Sequence, residues 1–194
     1  DRLEDFDSEE IRQFVDLIAR QGAEVSGIVE DLLVITRAET GHLAVYSEQL
    51  NVGEQVESVL ESFQSERADQ QITADLEPAD AVADALRVRQ IVRNLVTNAA
   101  RYGGPRVRVA VARETERVLV TVSDNGQGIA EEEREAVFRA YGRSHIAHRG
   151  TGSVGLGLTV SRYLAEAMGG TLTYDYRDGD SRFVLALPRY RPGD

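Results

Sequence analysis

A chain of 194 residues with 42% hydrophobic residues can bury one core of ordinary size plus an accessory helix. Its net charge of -11 argues against nucleic acid and against an anionic membrane surface, because surplus Lys and Arg bind both. With no cysteine there is no disulfide framework, thiolate nucleophile or Cys-ligated metal site, and no apolar run approaches the ~20 residues that span a bilayer, so no direct membrane contact is expected from this segment. All 22 basic residues are Arg, so any cationic contact to phosphate comes from a guanidinium fork. The sequence opens on Asp1 and its only methionine is Met168, which reads as a piece of a longer protein.

Asp7 and Glu10 are spaced as a capping box, and Ile11, Val15, Ile18, Gly22, Val25, Val29 and Leu32 then recur at alternating intervals of four and three. This seam, widened by Phe14, Ile28, Leu33 and Ile35, predicts a helix of about eight turns ending near Gly41 whose apolar stripe needs more than one neighbour, as in a helical bundle or dimer. A single helix lying on the globular part is the alternative. Beyond it the pattern breaks into short mixed elements, so a boundary falls between 40 and 50, giving units 1–41 and 42–194. Helices are expected over 52–67, 86–102, 131–138 and 154–168. Strands are expected over 72–76, 82–84, 107–113, 118–123, 171–176 and 182–187, with an irregular polar segment up to Ser153. The order implies an α+β fold: a mixed, mainly antiparallel sheet covered by helices on one face, preceded by the long helix.

Three stretches carry chemistry. In RQIVRNLVTNAARYG, Asn94 and Asn98 stand four residues apart with Arg101 and Tyr102 one turn further on, all on one helix face. Carboxamides there suit a hydrated Mg2+ bridging phosphates, since Mg2+ takes few protein oxygens; ordinary surface polarity is the plainer alternative. In VLVTVSDNGQGIA, Val118, Val120 and Val122 alternate on one strand face and Asp124 continues it, putting a carboxylate at the core's edge. Such a carboxylate needs a donor, and the exocyclic amine of adenine is one, with Gly126 and Gly128 letting the backbone pass close to a flat base; a strand-ending turn is the competing reading. The third stretch, RGTGSVGLGLTVSR, puts glycines at a helix amino end, where free amides and the dipole favour phosphate. Arg139, Arg143, His145, His148 and Arg149 precede it as a basic cluster consistent with a lid, although a solvated loop would look the same.

No GxxxxGK[ST] is present, and no GxGxxG follows a first strand. The three stretches resemble instead the N box and the two glycine boxes of the ATPase superfamily of sensor histidine kinases, gyrase, Hsp90 chaperones and mismatch-repair ATPases. AVFRAYGR resembles the histidine kinase F box through Phe138 and Arg143, and together with DLLVITRAETG it points to the histidine kinase branch. The resemblance implies a two-layer α/β sandwich of the Bergerat type, with a dimerisation-type helix in front.

It further implies Mg·ATP as the ligand and, residue by residue, Asn98 as the Mg2+ ligand and Asn94 as its neighbour arranging metal and water. Arg101, in place of the usual Lys, and Tyr102 would lie near phosphate and ribose. Asp124 would read adenine, with Gly126, Gly128 and Ile129 lining the base, and Arg143 would reach the terminal phosphate. Gly152, Ser153, Val154, Gly155, Leu156, Gly157 and Leu158 would form the glycine-rich lid end. Asn94 and Arg143 are the expected catalytic pair. Partners implied are a second copy through the N-terminal helix and a response regulator receiver, in a cytoplasmic setting that includes the cytoplasmic part of a membrane-anchored sensor. Residues 1–41 resemble only the second helix of the dimerisation hairpin, and His42, His145 and His148 all lie outside any acceptor context, so the chain is expected to bind nucleotide without phosphorylating itself. Ser153, Val154, Gly142 and Arg101 depart from the family pattern and bear on affinity. Other readings are an anti-sigma type serine kinase and a degenerate ATP-binding or dimerisation module.

Overall fold

The computed structural model describes residues 7–66, 71–140 and 155–193. Helix α1 (Ser8–Glu39) starts on a complete capping box: the Glu9 and Glu10 amides donate to Asp7 Oδ1 at 2.8 Å each, and the Asp7 amide donates to the Glu10 carboxylate at 2.9 Å. The globular part follows with β1 (Glu48–Asn51), α2 (Val52–Glu66), β2 (Gln71–Leu76), β3 (Asp80–Ala83), α3 (Ala85–Tyr102), β4 (Arg106–Arg113) and β5 (Arg117–Asp124). Two 3-10 turns (Glu131–Glu133 and Ala136–Phe138), α4 (Gly157–Ala167), β6 (Thr171–Arg177) and β7 (Asp180–Pro188) complete it.

Five strands form the main sheet in the order β2-β4-β5-β7-β6, with β2 parallel to β4 and every other pair antiparallel; β1 and β3 form a separate antiparallel pair. The core face of the sheet reads off the register. Val109, Val122, Phe183 and Tyr174 make one row across four strands, and Val107, Asp124, Ser181 and Tyr176 make the next. On this face lie α2, α3 and α4, whose buried stripes follow the helical repeat: Val52, Val56, Val59 and Phe63 on α2, and Val88, Ile91, Leu95 and Ala99 on α3. Each Val, Ile, Leu or Phe among them contributes roughly 1.5–3 kcal/mol by leaving water.

The expected elements are present with four differences. Strand β1 is unforeseen because only Leu50 of its four residues is buried, so it carries no alternating pattern; its backbone pairs with β3. The strand expected over 82–84 lies two residues earlier, because Asp84 is instead the cap of α3, accepting from the Leu86 and Arg87 amides at 3.0 and 3.2 Å. The stretch 131–138 is two 3-10 turns rather than one helix. Helix α4 starts at Gly157, and Val154, where its start was expected, lies outside the described residues.

Helix α1 has two apolar faces. Ile28, Val34 and Ile35 dock its last turns on the globular part, where α1 meets α4. The heptad seam faces outward, with Ile11, Val15, Ile18, Val25, Val29 and Leu32 all exposed, Ile18 to 70%. Among the described residues no helix is long and apolar enough to cross a membrane.

Asp31 shares the docking face, half-buried, and burial, helped by the charge of Glu30, pushes its carboxyl up from 3.8 to about 6. The folded state therefore holds a proton that the unfolded chain releases. The stabilisation linked to that proton is complete below pH 3.8 and is lost as pH rises through about 6. Asp31→Asn is expected to be more stable than the parent at pH 7, by on the order of 1 kcal/mol once solvent screening is allowed for, and equal to it near pH 4. Denaturant titrations at the two pH values measure the difference.

Candidate functional site: a cleft along helix α3

Asp124 ends β5 on its core face because the three valines before it set the alternation, and only 6% of it is exposed. A carboxylate in that position needs donors. The Gly126 amide donates to Oδ1 at 2.8 Å and the Gly104 amide at 3.2 Å, and the Ser181 hydroxyl, from the neighbouring strand in register, donates as well. Burial raises the Asp124 pKa; these three hydrogen bonds oppose the rise, and Asp180 adds to it. The carboxylate thereby joins the end of α3 to the end of β5. Next to it the start of β4 and the end of β5 exchange a further pair of contacts, with the Arg106 amide donating to Asn125 Oδ1 at 2.9 Å and the Asn125 amide to the Arg106 carbonyl at 3.3 Å.

The stretch after Asp124 lies on β6. Gly128 has φ +71°, and a Cβ there would sit 2.6 Å from Tyr176 Cε2, so only glycine suits the position. Ile129 is held through its backbone by Tyr174 and Arg134.

At its middle, α3 meets α4. Asn94 Nδ2 donates to Ser161 Oγ at 2.8 Å, and a Cβ on Gly157 would lie 2.9 Å from Asn94 Cγ, so the first helical residue of α4 is glycine where the carboxamide abuts it. Among the described residues no side chain caps this helix start, whose first amides have no partner within the helix itself. Two residues on, the Thr159 hydroxyl is buried with no hydrogen-bond partner among the described residues.

The expected residues therefore distribute as follows. Asn94, Asn98, Arg101 and Tyr102 fall on α3, with Asn94 committed to α4, Asn98 and Tyr102 half-buried, and Arg101 exposed. Asp124 and Gly126 meet the carboxyl end of α3, Gly128 and Ile129 lie against Tyr176 and Tyr174 of β6, and Gly155, Leu156, Gly157 and Leu158 lie at the amino end of α4. Arg143, Gly152, Ser153 and Val154 lie outside the described residues, as do His145, His148, Gly142 and Arg149. From Asn94 to Gly103 the helix rises roughly 13 Å. The buried Asp124 carboxylate thus lies at the carboxyl end of α3 and the amino end of α4 lies against its middle, an arrangement that has room for both ends of a nucleotide. No cluster of three or more His, Cys, Asp or Glu able to hold a metal occurs among the described residues. Ser161, Ser181, Tyr174 and Tyr176 escaped sequence reasoning. Ser181, Tyr174 and Tyr176 each sit on a strand 45 or more residues from the residue they contact, with no local signal, and Ser161 lies within the third stretch but 67 residues from Asn94.

Comparison with known proteins gives the same picture. The signal transduction histidine-protein kinase AfsQ2 of Streptomyces coelicolor is 32% identical over 178 residues, covering 90% of this chain but 32% of AfsQ2, so the chain spans about a third of that relative. Among solved structures, the mycobacterial sensor histidine kinase MprB is 27% identical with a TM-score of 0.68, over 73% of this chain and 98% of that one. Full-length ShkA, solved in complex with AMPPNP, has a TM-score of 0.76 at 23% identity, over 97% of this chain and 41% of its own. The family described as Histidine kinase-, DNA gyrase B-, and HSP90-like ATPase matches residues 83–191, which run from the cap of α3 past the end of β7 and hold every described residue of the cleft. More than half of the chain lies in that match, and with the sheet order and cleft above it establishes that the chain belongs to this ATPase family.

Proposed function

We propose that this chain is the Mg·ATP-binding catalytic region of a two-component sensor histidine kinase, residues 42–194 forming the catalytic domain and residues 1–41 half of a dimerisation hairpin. The observation that carries the reading is the buried Asp124 carboxylate, joined by hydrogen bonds to the end of the same helix whose middle touches the amino end of α4. The AMPPNP complex of ShkA supports a nucleotide in this fold.

In this reading Asp124 accepts from the adenine amine, with Gly126, Gly128 and Ile129 beside the base. Asn98 supplies a carboxamide oxygen to Mg2+, Arg101 and Tyr102 border the phosphates and ribose, and Asn94 orients the amino end of α4, where Gly155 to Leu158 present amides to phosphate oxygens. Arg143 and the stretch Gly152 to Val154 complete the phosphate side by resemblance. Mg2+, when bound, neutralises phosphate charge. The chain's own contribution is positioning and charge compensation, by amides held rigid before the ligand arrives and by guanidinium forks rather than ammonium groups. The γ-phosphoryl group would pass to a His on another helix and then to an Asp of a response regulator receiver, in the cytoplasm. The exposed seam of α1 would pair with a second copy.

Calorimetric titration with Mg·ATP tests the pocket. The parent is expected to bind, and Asp124→Asn to bind at least about tenfold more weakly, the loss that accompanies removal of a charged acceptor worth about 1.5–3 kcal/mol. Incubated alone with ATP, the chain is expected to form no acid-labile phosphohistidine, and to phosphorylate an acceptor helical domain supplied in trans. Sedimentation at rising concentration is expected to reveal self-association that Ile18→Glu abolishes, since a charge in the seam cannot be buried unpaired.

A further inference from the structure

The residues between Asp124 and the first 3-10 turn belong to no strand, yet the peptide at Ile129 has both of its polar groups taken by side chains. Its N–H donates to the Tyr174 hydroxyl oxygen at 2.8 Å, and its carbonyl accepts from Arg134 Nε at 3.4 Å. The Arg134 guanidinium also lies 5.9 Å over the Tyr174 ring, so the two side chains hold each other as well as the peptide. One residue earlier, Gly128 lies against the Tyr176 ring. Thus β6, an edge strand, takes hold of the glycine stretch through two tyrosines at alternate positions on its core face.

The Tyr174 ring does not end there. It packs 5.0 Å from Phe183 at an interplanar angle of 56°, Phe183 meets Phe138 edge-on at 6.2 Å, and the Arg162 guanidinium lies 5.0 Å over Phe138. Arg162, on α4, is also ion-paired with Glu135 at 3.1 Å and Glu166 at 3.4 Å. A continuous stack therefore runs from the backbone beside Asp124 to the second 3-10 turn and to α4. Phenylalanine at position 174 would preserve every ring contact. Only the hydroxyl reaches Ile129.

We propose that Tyr174 is a positioning residue of the nucleotide site: its hydroxyl fixes the stretch 126–130 where the base is read, and its ring registers that stretch to helix α4 at the phosphate end. The proposal rests on the nucleotide reading above and assigns to a strand residue a part of the site that the motifs do not contain. Its effect is on the geometry of base recognition, since Tyr174 itself need not touch the ligand.

The test is Tyr174→Phe, with Tyr46→Phe, 82% exposed and remote from the stack, as the control for the same chemical change. Amide hydrogen exchange without nucleotide is expected to quicken in residues 125–130 of Tyr174→Phe and to remain as in the parent across α3, β5 and β7. In calorimetry the variant is expected to bind Mg·ATP about three- to tenfold more weakly and to lose part of its preference for ATP over GTP, while Tyr46→Phe matches the parent in every measurement. Exchange at 125–130 or ATP affinity unchanged in Tyr174→Phe overturns the proposal, as does a uniform rise in exchange over the whole sheet, which would mark a merely structural role. A parent that binds no ATP fails the nucleotide reading itself and is seen before any variant is compared.

Discussion

A carboxylate buried at the end of a central strand must be surrounded by donors, and most of the site's architecture follows from that requirement at Asp124. The donors come from the end of α3, from the turn after β5 and from Ser181 on β7, three segments far apart in sequence that converge on one side chain. Without them the buried charge would cost several kcal/mol; with them, each segment is held at a definite distance from the others. The same bonds keep the amides of Gly104 and Gly126 from being orphaned. Helix α3 is consequently fixed at its carboxyl end by Asp124 and at its amino end by the Asp84 cap, with Asn94 bonded to α4 between them.

Elements with a strong repeat were legible in the sequence. Long stripes such as Val88, Ile91, Leu95 and Ala99, and the alternation Val118, Val120, Val122, survive in the structure because burial of one face is what selects the element. The capping box at Asp7 and Glu10 was legible because both partners lie within one turn. Strand β1 was not, since a four-residue strand with one buried side chain is defined by its partner's backbone rather than by its own pattern. The 3-10 turns over 131–138 show the same limit: their acidic first half favours helix by propensity, but only Val137 and Phe138 are buried, too few for a packed helical face.

The candidate site divides along the same line. Asn94, Asn98, Asp124 and the glycines announce themselves as local motifs, because close backbone approach and free amides need particular residues at particular spacings. Ser181 and Tyr174 do not, because a hydroxyl on a strand acquires its meaning from the register that brings it across the sheet. Tyr174 stands in the row of Val122 and Phe183, which sequence alone would read as core, and the ring is core; the hydroxyl at its tip is what departs from that role. Asn94 carries a similar lesson. Its spacing with Asn98 suggested a shared ligand face, and in the structure its amide nitrogen also donates to Ser161, a partner that the spacing does not announce.

Among the described residues, Ile28, Val34 and Ile35 dock the last turns of helix α1 on the globular part in the region of α4. The residues before Ile28 continue the helix as a rod about 30 Å long, at 1.5 Å per residue. Such a rod is a lever with its fulcrum on the helix whose amino end borders the cleft. A tilt of about 10° at the fulcrum would carry a tip about 30 Å away through about 5 Å.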